Sequence, residues 1–179
     1  RKIDVGCIRY KNRHGEACRR YFVNCVNLGY VANVMNLRRT TRHILGSRMF
    51  SFLVSFGLLF FQRLDYKMRL RIIERRVMTV CVGSSTGYGQ TPSAVPYNGQ
   101  LDVSVVYPPA TTQLFEGIYL FLRGRFLNHK SVHPYRTAQV SVEQAVHVPV
   151  SVDGRLIDQP VPPYSISVEQ EAINFLIPS

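Results

Sequence analysis

Outside one long central block, hydrophobic and polar positions alternate with a period of two. In residues 1–10, Ile3, Val5 and Cys7 alternate with Lys2, Asp4 and Gly6, which predicts a strand, and Lys11–Gly15 reads as a turn. Glu16–Leu28 predicts a second strand. Its centre, FVNCVN, is apolar on both faces apart from Asn24 and Asn27, as expected of a central strand, and Gly29 ends it. Leu64–Ile73 alternates cleanly: Leu64, Tyr66, Met68, Leu70 and Ile72 face one way, while Asp65, Lys67, Arg69 and Arg71 face the other. This predicts a half-buried antiparallel strand with a basic outer face. A turn at Glu74–Arg76 leads into a strand at Val77–Val82. Leu101–Val106, Thr137–Val142, Val146–Val152, Tyr164–Val168 and Ile173–Ile177 predict five more, with Val146, Val148, Val150 and Val152 on one face.

Two stretches change period. Val31–Gln62 predicts helix in two pieces hinged near Gly46-Ser47. Thr111 or Thr112 can cap a second helix running to about Leu122, with Leu114, Phe115, Ile118 and Leu122 at helical spacing. Eight to ten short strands without strand–helix–strand alternation predict a mainly β chain. The expected form is an antiparallel β-sandwich with one or two helical insertions, a barrel being the other way to close such strands. At 179 residues, a single domain spanning 1–179 is expected.

Charge sharpens this picture. The net charge is +11, with 17 Lys/Arg against 4 Asp/Glu in residues 1–76 and 5 against 7 in residues 77–179. The basic excess therefore belongs to the first half, where polyanions or anionic membranes are candidate partners. Arg38, Arg39, Arg42 and Arg48, with Lys67, Arg69 and Arg71, can meet phosphates or simply be a solvated face. Aromatic residues are not interleaved with them, so stacking on single-stranded nucleic acid is not indicated. The longest apolar run, Met49–Phe61, has 13 residues, too few for the ~20 of a membrane span. It reads as a buried helix or as one that touches lipid. The four cysteines include no CxxC pair, and reduced thiols are expected. The chain begins without Met, at Arg1-Lys2-Ile3-Asp4, and is expected to be part of something longer.

Val80–Pro109 holds the candidate chemistry. A short apolar strand runs into a loop dense in Gly, Ser, Thr and Pro, which ends at Asn98-Gly99 before the next strand. Two residues would suffice for a hairpin, so a loop this long points to binding or catalysis. Gly83-Ser84-Ser85-Thr86-Gly87-Tyr88-Gly89 can offer N–H groups and hydroxyls to an anion, or serve only as a connector. No nucleotide-binding glycine motif of either common type is present. His129 and His133 have no carboxylate or cysteine beside them to complete a metal site, so no metal is expected, and His147 reads as a surface residue. Asp153-Gly154 and Asn98-Gly99 are turn signals in their own right.

Four of these segments in order carry a resemblance. They are RKIDVG, YFVNCVNLGYVANV, GYGQTPSAVPYNGQLDVSVV, and VPVSVDGRLI with YSISVEQEAINFLIP. Together they resemble the C-terminal domain of the diacylglycerol kinase and sphingosine kinase family of lipid kinases, in particular its YegS-like members. The resemblance implies a β-sandwich that helps to hold a lipid alcohol. It also implies a separate N-terminal nucleotide-binding domain with a GGDGT motif, which this chain lacks. It implies ATP and Mg2+ as cofactors of the full-length protein, with none bound by this domain alone.

By the same resemblance, Asn98 occupies the family's general-base position, where an Asp is expected, and Asp102 is the nearest carboxylate. Gly87, Tyr88 and Gly89 fall in the glycine-rich segment, and Met49, Phe52 and Phe56 would cover an acyl chain. Arg155 stands where many members have Glu. The implied partners are a lipid of diacylglycerol or sphingoid type, an anionic membrane surface, the missing N-terminal domain and a homodimer. The implied location is cytoplasmic, peripheral to the inner face of the membrane. Two rival readings are a catalytically degenerate homologue that only binds lipid or a partner, and a basic nucleic-acid-binding β-domain resting on the charge alone.

Overall fold

The alternating segments pair into two six-stranded antiparallel sheets. The computed structural model describes residues 2–34, 66–70, 73–86, 91–110 and 125–174, with isolated positions 36, 57, 113, 116, 119, 120, 123 and 176. The strands are β1 (Lys2–Lys11), β2 (Ala17–Phe22), β3 (Cys25–Gly29), β4 (Tyr66–Leu70), β5 (Ile73–Val77) and β6 (Thr79–Gly83). They continue with β7 (Leu101–Val106), β8 (Val132–Thr137), β9 (Gln139–Ala145), β10 (Val150–Val152), β11 (Arg155–Leu156) and β12 (Val161–Asn174). One sheet has the order β2-β1-β12-β9-β4-β5 and the other β11-β10-β3-β6-β7-β8. The expected antiparallel sandwich is what the chain forms.

Between the sheets lies one core. Val26, Leu28, Val80, Val82, Leu101, Val103, Val105, Val150 and Val152 come from the second sheet. They face Ile8, Tyr10, Phe22, Met68, Leu70, Val140, Val142, Tyr164 and Ile166 of the first. Lys67 and Arg69 are exposed while Met68 and Leu70 are buried, as the alternation predicts. The other face of the second sheet is also closed. A cross-strand row of Ser151, Asn27, Cys81 and Ser104 lies there and is buried.

Several boundaries differ from expectation. Glu16–Leu28 is two strands, and they belong to different sheets. The chain crosses between the sheets at Val23-Asn24, where a carboxylate holds the bend. On β1 the inward face is that of Gly6, Ile8 and Tyr10. A Cβ at Gly6 would lie 2.0 Å from the Phe22 ring, so the glycine makes room for that ring. The turn expected at Glu74–Arg76 lies inside β5, because Tyr66 pairs with Val77 and Leu70 with Ile73. Of Val146–Val152 only Val150–Val152 is strand: Val146 is exposed, and His147 adopts a left-handed φ of 51°. Tyr164–Val168 and the following residues form one long strand, β12. The alternation does not predict edge strand β8, because Pro134 and its polar neighbours break the pattern, which an edge tolerates.

Residues 30–34 are helical, and the rest of the Val31–Gln62 block lies almost wholly outside the described residues. In the second predicted helix, Gln113, Glu116, Tyr119 and Leu120 are helical. Among the described residues no helix is long and apolar enough to cross a membrane.

Candidate functional site

Strand direction and register sort the loops to two ends of the sandwich. One end gathers the start of β1, the Val23-Asn24 crossover, the 84–100 loop, the Asp153-Gly154 turn and the end of β12. Lys2 pairs with Asn174 there, so the first and last strands open at the same end as the loop.

The last part of the loop is fixed by Asp4. This carboxylate is only 4% exposed. Its Oδ2 accepts the N–H of Gly99 at 2.7 Å, and its Oδ1 accepts that of Glu171 at 3.0 Å. The Asp4 N–H donates to the carbonyl of Pro96 at 2.7 Å. Glu171 lies in a bulge of β12 opposite Asp4, with φ of 50°. One residue thus joins β1, the loop and the β12 bulge. The alternation puts Asp4 on the polar side of its strand and assigns it no role. An acidic residue in alternation with apolar neighbours does not show which face is inside.

The beginning of the loop is fixed by Asn24 and Thr91. The Asn24 carbonyl accepts N–H donation from Ser84 at 2.9 Å and Ser85 at 3.4 Å, and the Thr91 hydroxyl donates to the Ser85 carbonyl at 3.1 Å. Thr91 is buried against Gly83, where a Cβ would lie 2.1 Å from Oγ1. Asn24 is held in turn by Asp153. Oδ1 of Asp153 accepts the N–H groups of Asn24 at 3.0 Å and Cys25 at 2.9 Å, and Oδ2 accepts that of Val23 at 3.0 Å. Asp153-Gly154 is therefore the expected β10–β11 turn, with φ of 46° and 78°, and also the clamp on the sheet crossover. Burial, helped by the charge of Asp153, pushes the Cys25 thiol up to about 12, which makes it a packing residue and not a nucleophile.

Asn98 is exposed at the tip. Its Oδ1 accepts the N–H of Gln100 at 3.0 Å, which closes an Asx turn. Asp102 begins β7 and pairs with Arg136 of β8, with Nε at 2.7 Å and Nη2 at 3.4 Å from its two oxygens. The same guanidinium reaches the Ser93 carbonyl at 3.3 Å, which ties edge strand to loop, and the bond to Asp102 raises its pKa above the ordinary value. Thr91, Ser93, Asp102, Ser104, Tyr135 and Arg136 line a cavity of about 280 Å³ beside this pair. Asn98 and Asp102 thus share one end of the sandwich. Gly87, Tyr88 and Gly89, and Met49, Phe52 and Phe56, lie outside the described residues. His129 is buried, with its Nε2 2.9 Å from the Gln113 carbonyl oxygen. His147 is exposed, as expected.

Residues 24–177 match the family described as the YegS C-terminal NAD kinase beta sandwich-like domain. The chain belongs to this family. No curated protein is similar to it in sequence. Among solved structures, a diacylglycerol kinase-like protein from Bacillus anthracis str. Sterne is 15% identical, with a TM-score of 0.57. The match covers 96% of this chain and 55% of that one. A diacylglycerol kinase from the same strain is 14% identical, with a TM-score of 0.51, over 96% and 52% of the two chains. At these identities the likeness concerns the fold. This YegS-type domain spans about half the length of those proteins.

Proposed function

We propose that this chain is the lipid-side domain of a diacylglycerol or sphingosine kinase-like protein, whose full-length form transfers the γ-phosphate of ATP to a lipid hydroxyl. The observation that carries the reading is the placement of the Asn98-Gly99 tip in a YegS-type sandwich. Asp4 pins it at the end where β1 begins and β12 finishes. A nucleotide-binding domain joined ahead of β1 would face this tip and form a cleft with it. The Asn98 amide can orient a hydroxyl in such a cleft but cannot usefully take its proton.

Three carboxylates at this end already have partners. Asp4 and Asp153 are filled by backbone N–H groups, and Asp102 by Arg136. Nucleotide and metal therefore belong to the upstream domain in this reading. Met49, Phe52 and Phe56 cover the acyl chain, Gly87, Tyr88 and Gly89 line the approach, and the basic first half meets the anionic inner face of the membrane. The test is to express the chain with its upstream region and assay transfer from ATP to diacylglycerol and sphingoid bases. Phosphorylated lipid is the expected product. Intact ATP binding without transfer to either lipid would overturn the catalytic reading.

A second reading is favoured by the same carboxylates. Asn98 replaces the family base and its amide is used in an Asx turn, while Asp102 is neutralised by Arg136. In that reading the protein holds lipid, or a partner, without phosphorylating it. Asn98→Asp in the extended protein would then create transfer that the natural protein lacks. Transfer by the unmodified protein would exclude this alternative.

A further inference from the structure

We infer that this domain carries a second ligand site, for a phosphate monoester, at the end of the sandwich away from the Asn98 tip. Asp4 in β1 and Asn12 just past its end are eight positions apart, which puts the two ends ~26 Å apart along the strand. At the far end the β1–β2 turn, Asn33, the start of β4, the segment before β10 and the segment after β11 enclose a groove of about 560 Å³. That is about twice the volume of the cavity beside Asp102 and falls within the ~300–1,000 Å³ common for small-molecule sites.

The groove is built in advance of any ligand. Asn12 accepts the N–H groups of His14 at 3.0 Å and Glu16 at 2.9 Å, which fixes the turn that presents Arg13 and His14. Arg13 Nη2 donates to Gln159 Oε1 at 2.6 Å across the opening. Asn33 donates to the Tyr66 hydroxyl at 2.7 Å on the opposite wall. The carbonyl of Pro149 accepts the Gly29 N–H at 2.9 Å, so the segment after His147 is anchored too. His147 is a non-glycine residue held at φ 51° on the rim, a conformation that surrounding structure must maintain.

The chemistry of the lining selects an anion with an organic body. Arg13, His14 and His147 bring nitrogen donors from two loops, and among the described residues Asp158 is the single carboxylate in the lining. A guanidinium and two imidazoles in one lining match the several acceptor oxygens of a phosphate monoester. Tyr66, Pro149, Leu156 and Ile157 supply an apolar wall for the group that the phosphate is attached to. The site is independent of the kinase-like reading, since no residue of the Asn98 end takes part.

The monoester can be a soluble metabolite or a lipid headgroup. The experiment titrates the 179-residue chain with glycerol 3-phosphate, inorganic phosphate, and phosphatidylcholine vesicles with and without phosphatidic acid. The imidazole proton signals of His14 and His147 are followed by NMR. Saturating shifts with glycerol 3-phosphate, weaker with inorganic phosphate, support a soluble ligand; shifts only with phosphatidic acid vesicles support the lipid source. Arg13→Ala is expected to weaken binding about ten-fold. Asp158→Asn is expected to tighten it about two- to three-fold by removing repulsion. His147→Asn, which tolerates the left-handed backbone, tests the imidazole without disturbing the fold. Unmoved imidazole signals with every probe, or weaker binding by Asp158→Asn, would overturn the proposal.

Discussion

The carboxylate of Asp4 and the backbone N–H of Gly99 meet at 2.7 Å, across 95 residues of sequence. The bond turns a flexible dipeptide into a fixed tip, because Gly99 sits at φ 68° and Asp4 is itself held by Glu171 and Pro96. Asp4→Ala leaves two backbone donors without their acceptor in a part-buried region. We predict a loss of about 3 kcal/mol in urea unfolding, with Asp4→Asn losing about half as much because one acceptor oxygen remains. A loss below about 0.5 kcal/mol for the alanine variant would show that the tip is held by other contacts.

Asp153 sets a second expectation. It accepts three N–H groups from the residues where the chain passes from β2 to β3. Asparagine keeps one acceptor oxygen and tolerates the left-handed φ of 46°, whereas alanine does neither. Asp153→Asn should cost about 1–2 kcal/mol and Asp153→Ala about 4 kcal/mol by chemical denaturation. A loss for Asp153→Ala with none for Asp153→Asn would mean that the turn alone, and not the clamp, requires the aspartate.

Gly83 and Thr91 fix the start of the loop by contact. An alanine at 83 meets Thr91 Oγ1 at 2.1 Å and Cβ at 2.7 Å, so the loop has to lift from β6. Gly83→Ala is expected to speed hydrogen exchange at Ser84 and Ser85, whose N–H groups donate to Asn24. Thr91→Ala in the same chain should restore only part of the protection, because its Cβ still crowds the new methyl. Full restoration would place the clash in the hydroxyl and methyl of Thr91 alone.

These three sites show where the sequence was readable. Period-two alternation gave the sandwich, and it gave the faces of β4 correctly because Lys67 and Arg69 are charged and Met68 and Leu70 are not. It failed on β1, where Gly6 faces inward to admit Phe22 and Asp4 is buried to receive two N–H groups. A glycine or an aspartate carries no mark of which side it faces until its partner is known. It failed again at Phe22–Cys25, since an apolar run interrupted only by Asn24 does not show that a strand changes sheet. The Asn98 tip and Asp102 were singled out through motif order. Arg136 was not, because it lies in an edge strand whose proline hides the alternation.

Alkaline pH gives the last test, and its sign follows from burial. Burial pushes the Cys25 thiol from 9.0 up to about 12 and the Tyr30 hydroxyl from 10.0 up to about 12. Cys81 and Tyr164 are raised by burial as well. In each case the folded chain keeps its proton more tightly than the unfolded one. Their contribution is therefore complete below pH 9, where both states are protonated. It declines as the unfolded chain ionises, first through its cysteines above pH 9 and then through its tyrosines above pH 10, until Cys25 and Tyr30 release their protons in the folded chain near pH 12. Urea midpoints measured from pH 7 to 11 should be level at first, fall from about pH 9 and fall more steeply above about pH 10. Cys25→Ala lowers the starting stability but should make the first part of the fall shallower, with Cys81 supplying what remains, and leave the second. An unchanged slope between pH 9 and 10 in that variant would remove Cys25 as its source.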